Sequence, residues 1–469
     1  MSLFDTYKSV EEHLESNKPK LFRLLDEHLD WDEIIPHTFY HAFNMRFGRK
    51  RKYGLESFMR ALFLQRIFHY VEDSQLLNTL KYSQEMRDYC NFIKVPDASK
   101  LTRFKQDFCN HIRDVFERLV DITEPICREM NEKLADMLVF DTTGIESYVA
   151  ENNPKYRHSK ENHSKFIAKT DPNFNSAGGV RALFPLVSES NHHVKFQYIN
   201  GHFCYAQKAA VVSNGLGIIR HLELFDEDFK QRHPEMQIEK RTTQPELDKE
   251  VGDSTSLLPV LKDFRAAHPT FSYGTFSADA AFDSYDNFSF LLKDYGFSKA
   301  IIPYKKVPAS DIGFNENGTP LCPKDDTPFI YHSKFVVKNR DLRVKYRCPK
   351  TKWVPTERGN TIRCFCENPC TTSSYGRSIL VSVNNNLRLY PGLSRDSDEF
   401  ITLCKNRTVV ERSISTLKDI LGLSKRKTSN VLTTKADLFL AGIVQLLCVL
   451  LAKKLNDIKL ARRPRRLIA

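Results

Sequence analysis

The N-terminus, MSLFDTYKSVEEHLE, is charged and lacks the apolar segment of a secretory signal. No stretch reads as a membrane span either. The most apolar one, residues 438–452, is interrupted by Gln445 and falls short of the ~20 residues a bilayer crossing needs, so it reads as a buried helix. Missing too are a phosphate-cradling glycine loop and a nucleophile elbow, Gly215-x-Gly217 being a hairpin fragment; P-loop nucleotide hydrolysis and serine-esterase chemistry drop out. There is no internal repeat. Eleven cysteines without a signal peptide imply reduced thiols in a cytoplasmic compartment and no disulfide framework.

With 469 residues the chain is too long for one ordinary core, and two to four domains are expected. Lys and Arg number 70 against 58 Asp and Glu, a net charge of +12 that favours a polyanionic partner. The densest basic run, Arg49, Lys50, Arg51 and Lys52, reads either as a solvated loop or as an arm that contacts phosphates.

Residues 1–132 carry apolar residues at helical spacing, as in 55–68, with 96–99 as a turn and cap before 101–120. The pattern changes at Met137-Leu-Val-Phe140, a buried strand ending at Asp141. Residues 147–197 read as a polar excursion. Two strand-like runs, 205–213 and 216–224, join through Asn214-Gly215, a hairpin signal. A helix over 253–267 precedes a strand over 271–278 that ends at Asp279, and Ser284 and Gly296 bracket a further helix before a strand at 300–302. Residues 304–398, rich in Lys, Pro, Asn and Cys, read as an inserted β-rich subdomain, and a long helix over 406–423 follows. The expected organisation is an N-terminal helical domain for DNA binding or dimerisation (1–132), a catalytic core in two parts (133–303 and 399–469) and the insert between them (304–398).

Three acids stand out within this order. Asp141 and Asp279 sit at strand ends, and Glu411 lies on a late helix with Arg407 four residues before it and Lys418 seven after. Carboxylates that converge can hold two divalent ions for phosphoryl transfer, since hard cations take oxygen ligands. An ordinary surface ion pair between Arg407 and Glu411 has the same spacing. Arg407-x3-Glu411-x6-Lys418 resembles the Tyr-Arg-Glu-Lys signature of bacterial insertion-sequence DDE transposases. Phe-Asp141-Thr-Thr-Gly144 and Phe276-Ser-Ala-Asp279-Ala-Ala-Phe-Asp-Ser284 are similar to the two aspartate motifs of that family, and the resemblance extends over about 40–450. One position departs: Cys404 stands where the signature has tyrosine.

That resemblance implies an α/β fold with an RNase H-like core. It implies a homodimer that binds the terminal inverted repeats of a mobile element in double-stranded DNA, cleaves at the element's ends and transfers the 3′-hydroxyls to target DNA. It implies Asp141, Asp279 and Glu411 as ligands of two Mg²⁺ or Mn²⁺ ions, with Arg407 and Lys418 on phosphates. The implied location is the bacterial cytoplasm, at the nucleoid, without membrane contact. Asp283 and Asp286 compete for the second acid. Other readings are an inactive, element-derived DNA-binding regulator, another RNase H-like nuclease, and a zinc-centred interaction protein.

Five cysteines fall between Cys322 and Cys370. Cys348, Cys364, Cys366 and Cys370 form a candidate structural zinc set, although the spacing is no clean C-x2-C pair and Cys322 is then left over.

Overall fold

The computed structural model describes residues 18–44, 51–171, 174, 180–236, 252–305, 313–315, 319–336, 342–357, 359–382, 387–424 and 426–468. The chain is α/β, with an N-terminal helical region and mixed sheets. It divides into two compact units: Met1–Ala135, Thr142–Glu250 and Glu411–Ala469 form one, Asp136–Asp141 and Val251–Val410 the other.

In the first unit, helices follow one another from Lys20–His28 to Leu55–Ile67 and on to Asp73–Tyr82 and Ala98–Asp107. Their shared core is aromatic: Phe58 stacks on Phe104 with ring centroids 4.7 Å apart, and Phe43 and Phe108 close in at 5.4 Å from one another. The helix that opens at 96–99 ends at Asp107. Phe108 leaves helical geometry (φ −118°, ψ 21°), and a second helix, Cys109–Met130, runs on.

Against this helix lies Val431–Lys454, long and apolar enough to cross a membrane but buried along most of its length. Asn430 caps it by accepting the Thr433 N–H at 2.9 Å. Close packing depends on Gly442, where a Cβ would stand 2.7 Å from the Phe116 ring. Gln445, the polar residue inside the apolar run, accepts the Ile219 N–H at 3.0 Å and donates to the Gly217 carbonyl at 2.9 Å. Its amide therefore satisfies backbone that the helix would otherwise bury unpaired.

A buried ionic network ties these helices together. Asp437 is paired with Arg66, Lys105 (3.2 Å) and Arg426 (2.9 Å), and Asp73 with Lys105 and Arg426, both at 3.0 Å. Burial opposes ionisation of both aspartates, yet the surrounding cations outweigh it and hold both carboxyls below the ordinary range. Burial also brings Arg66 down to about 10.

Four strands complete this unit: the second half of β1 (Met137–Glu146), β2 (Lys195–Ile199), β3 (His202–Asn214) and β4 (Ile219–Leu224). β3 neighbours β1, and pairs antiparallel with β2 along its first half and β4 along its second. Asn214 shapes the β3–β4 turn by accepting the Leu216 and Ile218 N–H groups at 3.1 Å. β1 does not stop at Asp141. The β-branched Thr142, Thr143 and Ile145 carry the strand on to Glu146, so Asp141 sits mid-strand. Residues 147–197, expected to be an excursion, contain a regular helix, Pro154–Thr170, capped by Asn153 at the Lys155 N–H.

In the second unit the first half of β1 pairs parallel with β5 (Thr275–Ala278), and β5 pairs parallel with β6 (Lys299–Ile301). The crossover from β5 to β6 opens at Ser284, which accepts the Asn287 N–H, and closes on Gly296 at φ +94°. Further on come β7 (Ile330–Val336), β8 (Leu342–Arg347), β9 (Thr351–Thr356), β10 (Gly359–Cys364) and β11 (Ser378–Ser382), as a three-stranded sheet ordered β11-β8-β7 and a β9–β10 hairpin. The expected single helix over 406–423 is broken. One helix, Asp398–Lys405, ends before a turn at Asn406-Arg407; another, Thr408–Ser415, passes into a π turn over Thr416–Ile420. Arg407 therefore precedes the helix, and Glu411 and Lys418 are not on one regular α-helical stripe.

Candidate functional site

The run Met137-Leu-Val-Phe140 is buried on both faces, as a parallel strand inside an α/β layer must be. Its register with β5 sets Phe140 opposite Ala278. The residue after each is an aspartate: Asp141 continues β1, and Asp279 follows the end of β5. Phe140 packs edge-on against Phe282 at 5.0 Å, which locks the loop after Asp279 to the strand below Asp141. Asp279 accepts the Ala281 N–H at 2.7 Å, and this fixes the carboxylate's direction. Both aspartates are half-exposed.

Nearby acids are committed elsewhere. Asp283 receives both Nε and Nη2 of Arg388 and the Lys305 N–H at 2.9 Å, so it anchors the chain after β6. Asp286 sits exposed in the first turn of Tyr285–Ser289. Cys404, the residue in place of the signature tyrosine, is half-buried with Phe400 and Leu403 against Ile301 and Leu393, and burial pushes its thiol up.

In the first unit, Asn200 explains the Thr143-Gly144 part of the motif. Asn200 and Gly201 take positive φ (56° and 81°) in the β2–β3 turn, a two-residue hairpin of the Asn-Gly type. The Asn200 side chain accepts from Thr143 Oγ1 at 3.3 Å and the Gly144 N–H at 3.2 Å, and donates to the Gly144 carbonyl at 2.9 Å. Lys418 Nζ joins at 2.8 Å. A Cβ at Gly144 would stand 2.6 Å from the Ile199 side chain, so any larger residue there forces Ile199 to move. Glu411 is exposed and takes no ion pair or hydrogen bond among the described residues. An arginine–glutamate surface pair is therefore not what occupies it.

Two clusters escaped the motif reading. Glu146, His202 and Cys204 lie at facing positions of β1 and β3 with ligand atoms within 4.8 Å of one another, and His202 Nε2 stands 3.2 Å from Glu146. Burial pushes the Cys204 thiol up to about 12, so the trio reads as an exposed pair above a protonated thiol. The helix Pro154–Thr170 buries Ser164 alone and exposes Lys155, Arg157, Lys165 and Lys169. Its lack of apolar periodicity hid it, although its basic content was visible.

Of the basic run, Arg49 and Lys50 lie outside the described residues. Arg51 lies over the Phe43 ring at 4.6 Å and donates Nε to the Phe43 carbonyl at 2.7 Å, and Lys52 approaches the Tyr53 ring at 5.8 Å. Arg51 is thus partly structural. Cys348, Cys364, Cys366 and Cys370 line one pocket, together with Cys322.

Residues 9–107 match the family model described as Transposase domain (DUF772). That match supports a transposase. It covers helices of the first unit and ends before β1, so it speaks for the N-terminal region and not for the carboxylates. No curated protein matches the chain.

Proposed function

We propose that the protein is a DDE transposase with an RNase H-like core, which cleaves double-stranded DNA at the ends of a mobile element and joins the 3′-hydroxyls to target DNA. The observation that carries this reading is the pairing of Phe140 with Ala278, which puts an aspartate next on each of two neighbouring parallel strands, in a chain with a transposase-domain match.

Asp141 and Asp279 suit a hard divalent cation, being half-exposed oxygen donors on rigid backbone, with Asp279 oriented by an amide. Glu411 is assigned as third ligand from the Arg407-x3-Glu411-x6-Lys418 spacing. Two bound Mg²⁺ ions supply activation of the attacking oxygen and charge neutralisation at the leaving one. The chain's own part is to bind and orient. Arg407 and Lys418 hold backbone phosphates as charge-assisted donors, and the Asn200 bridge keeps Lys418 beside the Thr143-Gly144 backbone. The exposed lysines of Pro154–Thr170 and the basic run Arg49–Lys52 track the duplex. A homodimer would present one such site to each element end.

The test is incubation of the full chain and Mg²⁺ with duplex DNA carrying the sequences that flank its reading frame. Strand cleavage at the element ends, abolished by chelator, supports the reading. Tight end binding with no cleavage at any divalent ion contradicts it, and would make the chain a DNA-binding regulator.

A further inference from the structure

Five of the chain's eleven cysteines belong to the β-rich part of the second unit, and all eleven are free thiols. They come from three separate stretches and line one pocket with Asp325, Lys350 and Arg377. The topology explains the convergence. Cys348 ends the segment after β8, and the β9–β10 hairpin leaves at Thr351 and returns at Cys364 opposite it, which brings Cys364 back to the turn that holds Cys348. Gly376 lets the next turn close over both, with a virtual Cβ 3.3 Å from that of Cys364 and 3.4 Å from that of Cys348. Cys322 comes from a tight turn that its carbonyl closes with the Asp326 N–H at 2.9 Å, and Cys370 packs against the cluster that contains it.

Two of these turns are Cys-Pro-Lys. Each places a buried cysteine, Cys322 or Cys348, in the small core that Cys364 and Cys370 pack against. The apolar core around the thiols is small: Phe329, Val344, Tyr346, Ile379 and Tyr390, with Cys322 and Cys348 buried among them and Cys364 and Cys370 packed against them. A core of that size is of the kind a structural metal commonly completes.

We propose that Cys322, Cys348, Cys364 and Cys370 bind one structural Zn²⁺, with Cys366 as the spare fifth thiol. This set exchanges Cys366 for Cys322 relative to the spacing-based one, because Cys322 is buried in the core that Cys348, Cys364 and Cys370 share. Binding releases the four thiol protons to solvent, and the two net negative charges of a Zn(Cys)₄ centre lie beside Lys350 and Arg377. Among the described residues no three of these sulfurs lie within 4.8 Å of one another. The edge of a tetrahedral site with Zn–S bonds of about 2.3 Å is about 3.8 Å, so the four thiols would have to close in on a bound ion.

The proposal is tested on full-length protein purified without chelator, by elemental analysis and by replacement of zinc with Co²⁺, read as sulfur-to-cobalt charge-transfer and tetrahedral ligand-field absorption. One zinc per chain is expected in the wild type and in Cys366→Ser, with tetrahedral thiolate bands in both. Cys322→Ser and Cys370→Ser are expected to hold substoichiometric, chelator-labile metal. Folded wild-type protein with no tightly held metal and five reagent-accessible thiols in the insert would overturn the proposal. So would loss of the ion in Cys366→Ser with retention in Cys322→Ser. Neither readout involves DNA, so the outcome is separate from the transposase reading.

Discussion

Asp141 and Asp279 each follow directly on a member of one parallel pair, Phe140 opposite Ala278, at the end of a buried strand pairing. On the proposed function these two acids are ligands of a divalent cation. Mn²⁺ or Mg²⁺ is expected to raise the wild-type melting temperature, by mass action on the folded state, and to raise that of an Asp141→Asn, Asp279→Asn double variant much less. Thermal melts with and without the ion check this. Equal shifts in both proteins would count against the pair as ligands.

Gly144 is expected to be intolerant of any side chain. Gly144→Ala puts a Cβ 2.6 Å from Ile199 and should destabilise the protein by about 1–3 kcal/mol through overpacking. Ile199→Ala removes the clashing atoms, so the double variant should recover part of the loss. Urea denaturation of the two single variants and the double one measures the coupling.

Asp437 is surrounded by Arg66, Lys105 and Arg426 inside the helical unit. Asp437→Asn leaves three buried cations with one remaining carboxylate, Asp73, and should cost about 3–5 kcal/mol. The loss should appear as a lower denaturant midpoint with an unchanged slope.

The same network sets an acid limit. Asp73 and Asp437 have folded-state pKa values below their unfolded ones, because the cations around them outweigh the burial that opposes ionisation. Their contribution is complete above the unfolded carboxylate pKa of about 4, and is lost as pH falls from there through the depressed folded values. Stability should therefore be flat on this account from neutral pH down to that range and then drop. In Asp437→Asn the drop should be shallower.

Lys155, Lys165 and Lys169 stand exposed on a helix that buries Ser164 alone. If they follow DNA phosphates, each lysine changed to alanine should lower the slope of log affinity against log salt by about one, with little dependence on DNA sequence. Fluorescence-anisotropy titrations across salt concentrations read the slope. An unchanged slope in the triple variant would take this helix out of the interface.

Some of this was legible in the residues alone. Leu138 and Val139 announced a buried strand, Asn214-Gly215 a hairpin, Ser284 and Gly296 the ends of one crossover, and the run around Leu446 a buried helix. Local signals of that kind act within a few residues. β1 was cut short at Asp141 because polar Thr142 and Thr143 look like a strand end, whereas β-branched side chains continue the strand. The helix Pro154–Thr170 showed no apolar period because it has almost no buried face. The break at Asn406-Arg407 and the π turn at Thr416–Ile420 carry no glycine or proline that would announce them. Lys105 and Asp437 are more than three hundred residues apart, and no spacing rule pairs them. Cys322 was left out of the thiol set for the same reason: its partners reach it through the β9–β10 hairpin.

The central claim is that Asp141, Asp279 and Glu411 hold the divalent ions that cleave DNA. The most direct measurement compares Mg²⁺-dependent end cleavage by the wild type with Asp141→Asn, Asp279→Asn and Glu411→Gln, alongside end binding by each. Loss of a ligand that supplies about 4 kcal/mol of transition-state stabilisation lowers the rate about a thousandfold. Each variant is expected to fall at least that far while binding ends within a fewfold of the wild type. Cleavage at the wild-type rate by any one of the three would contradict the account.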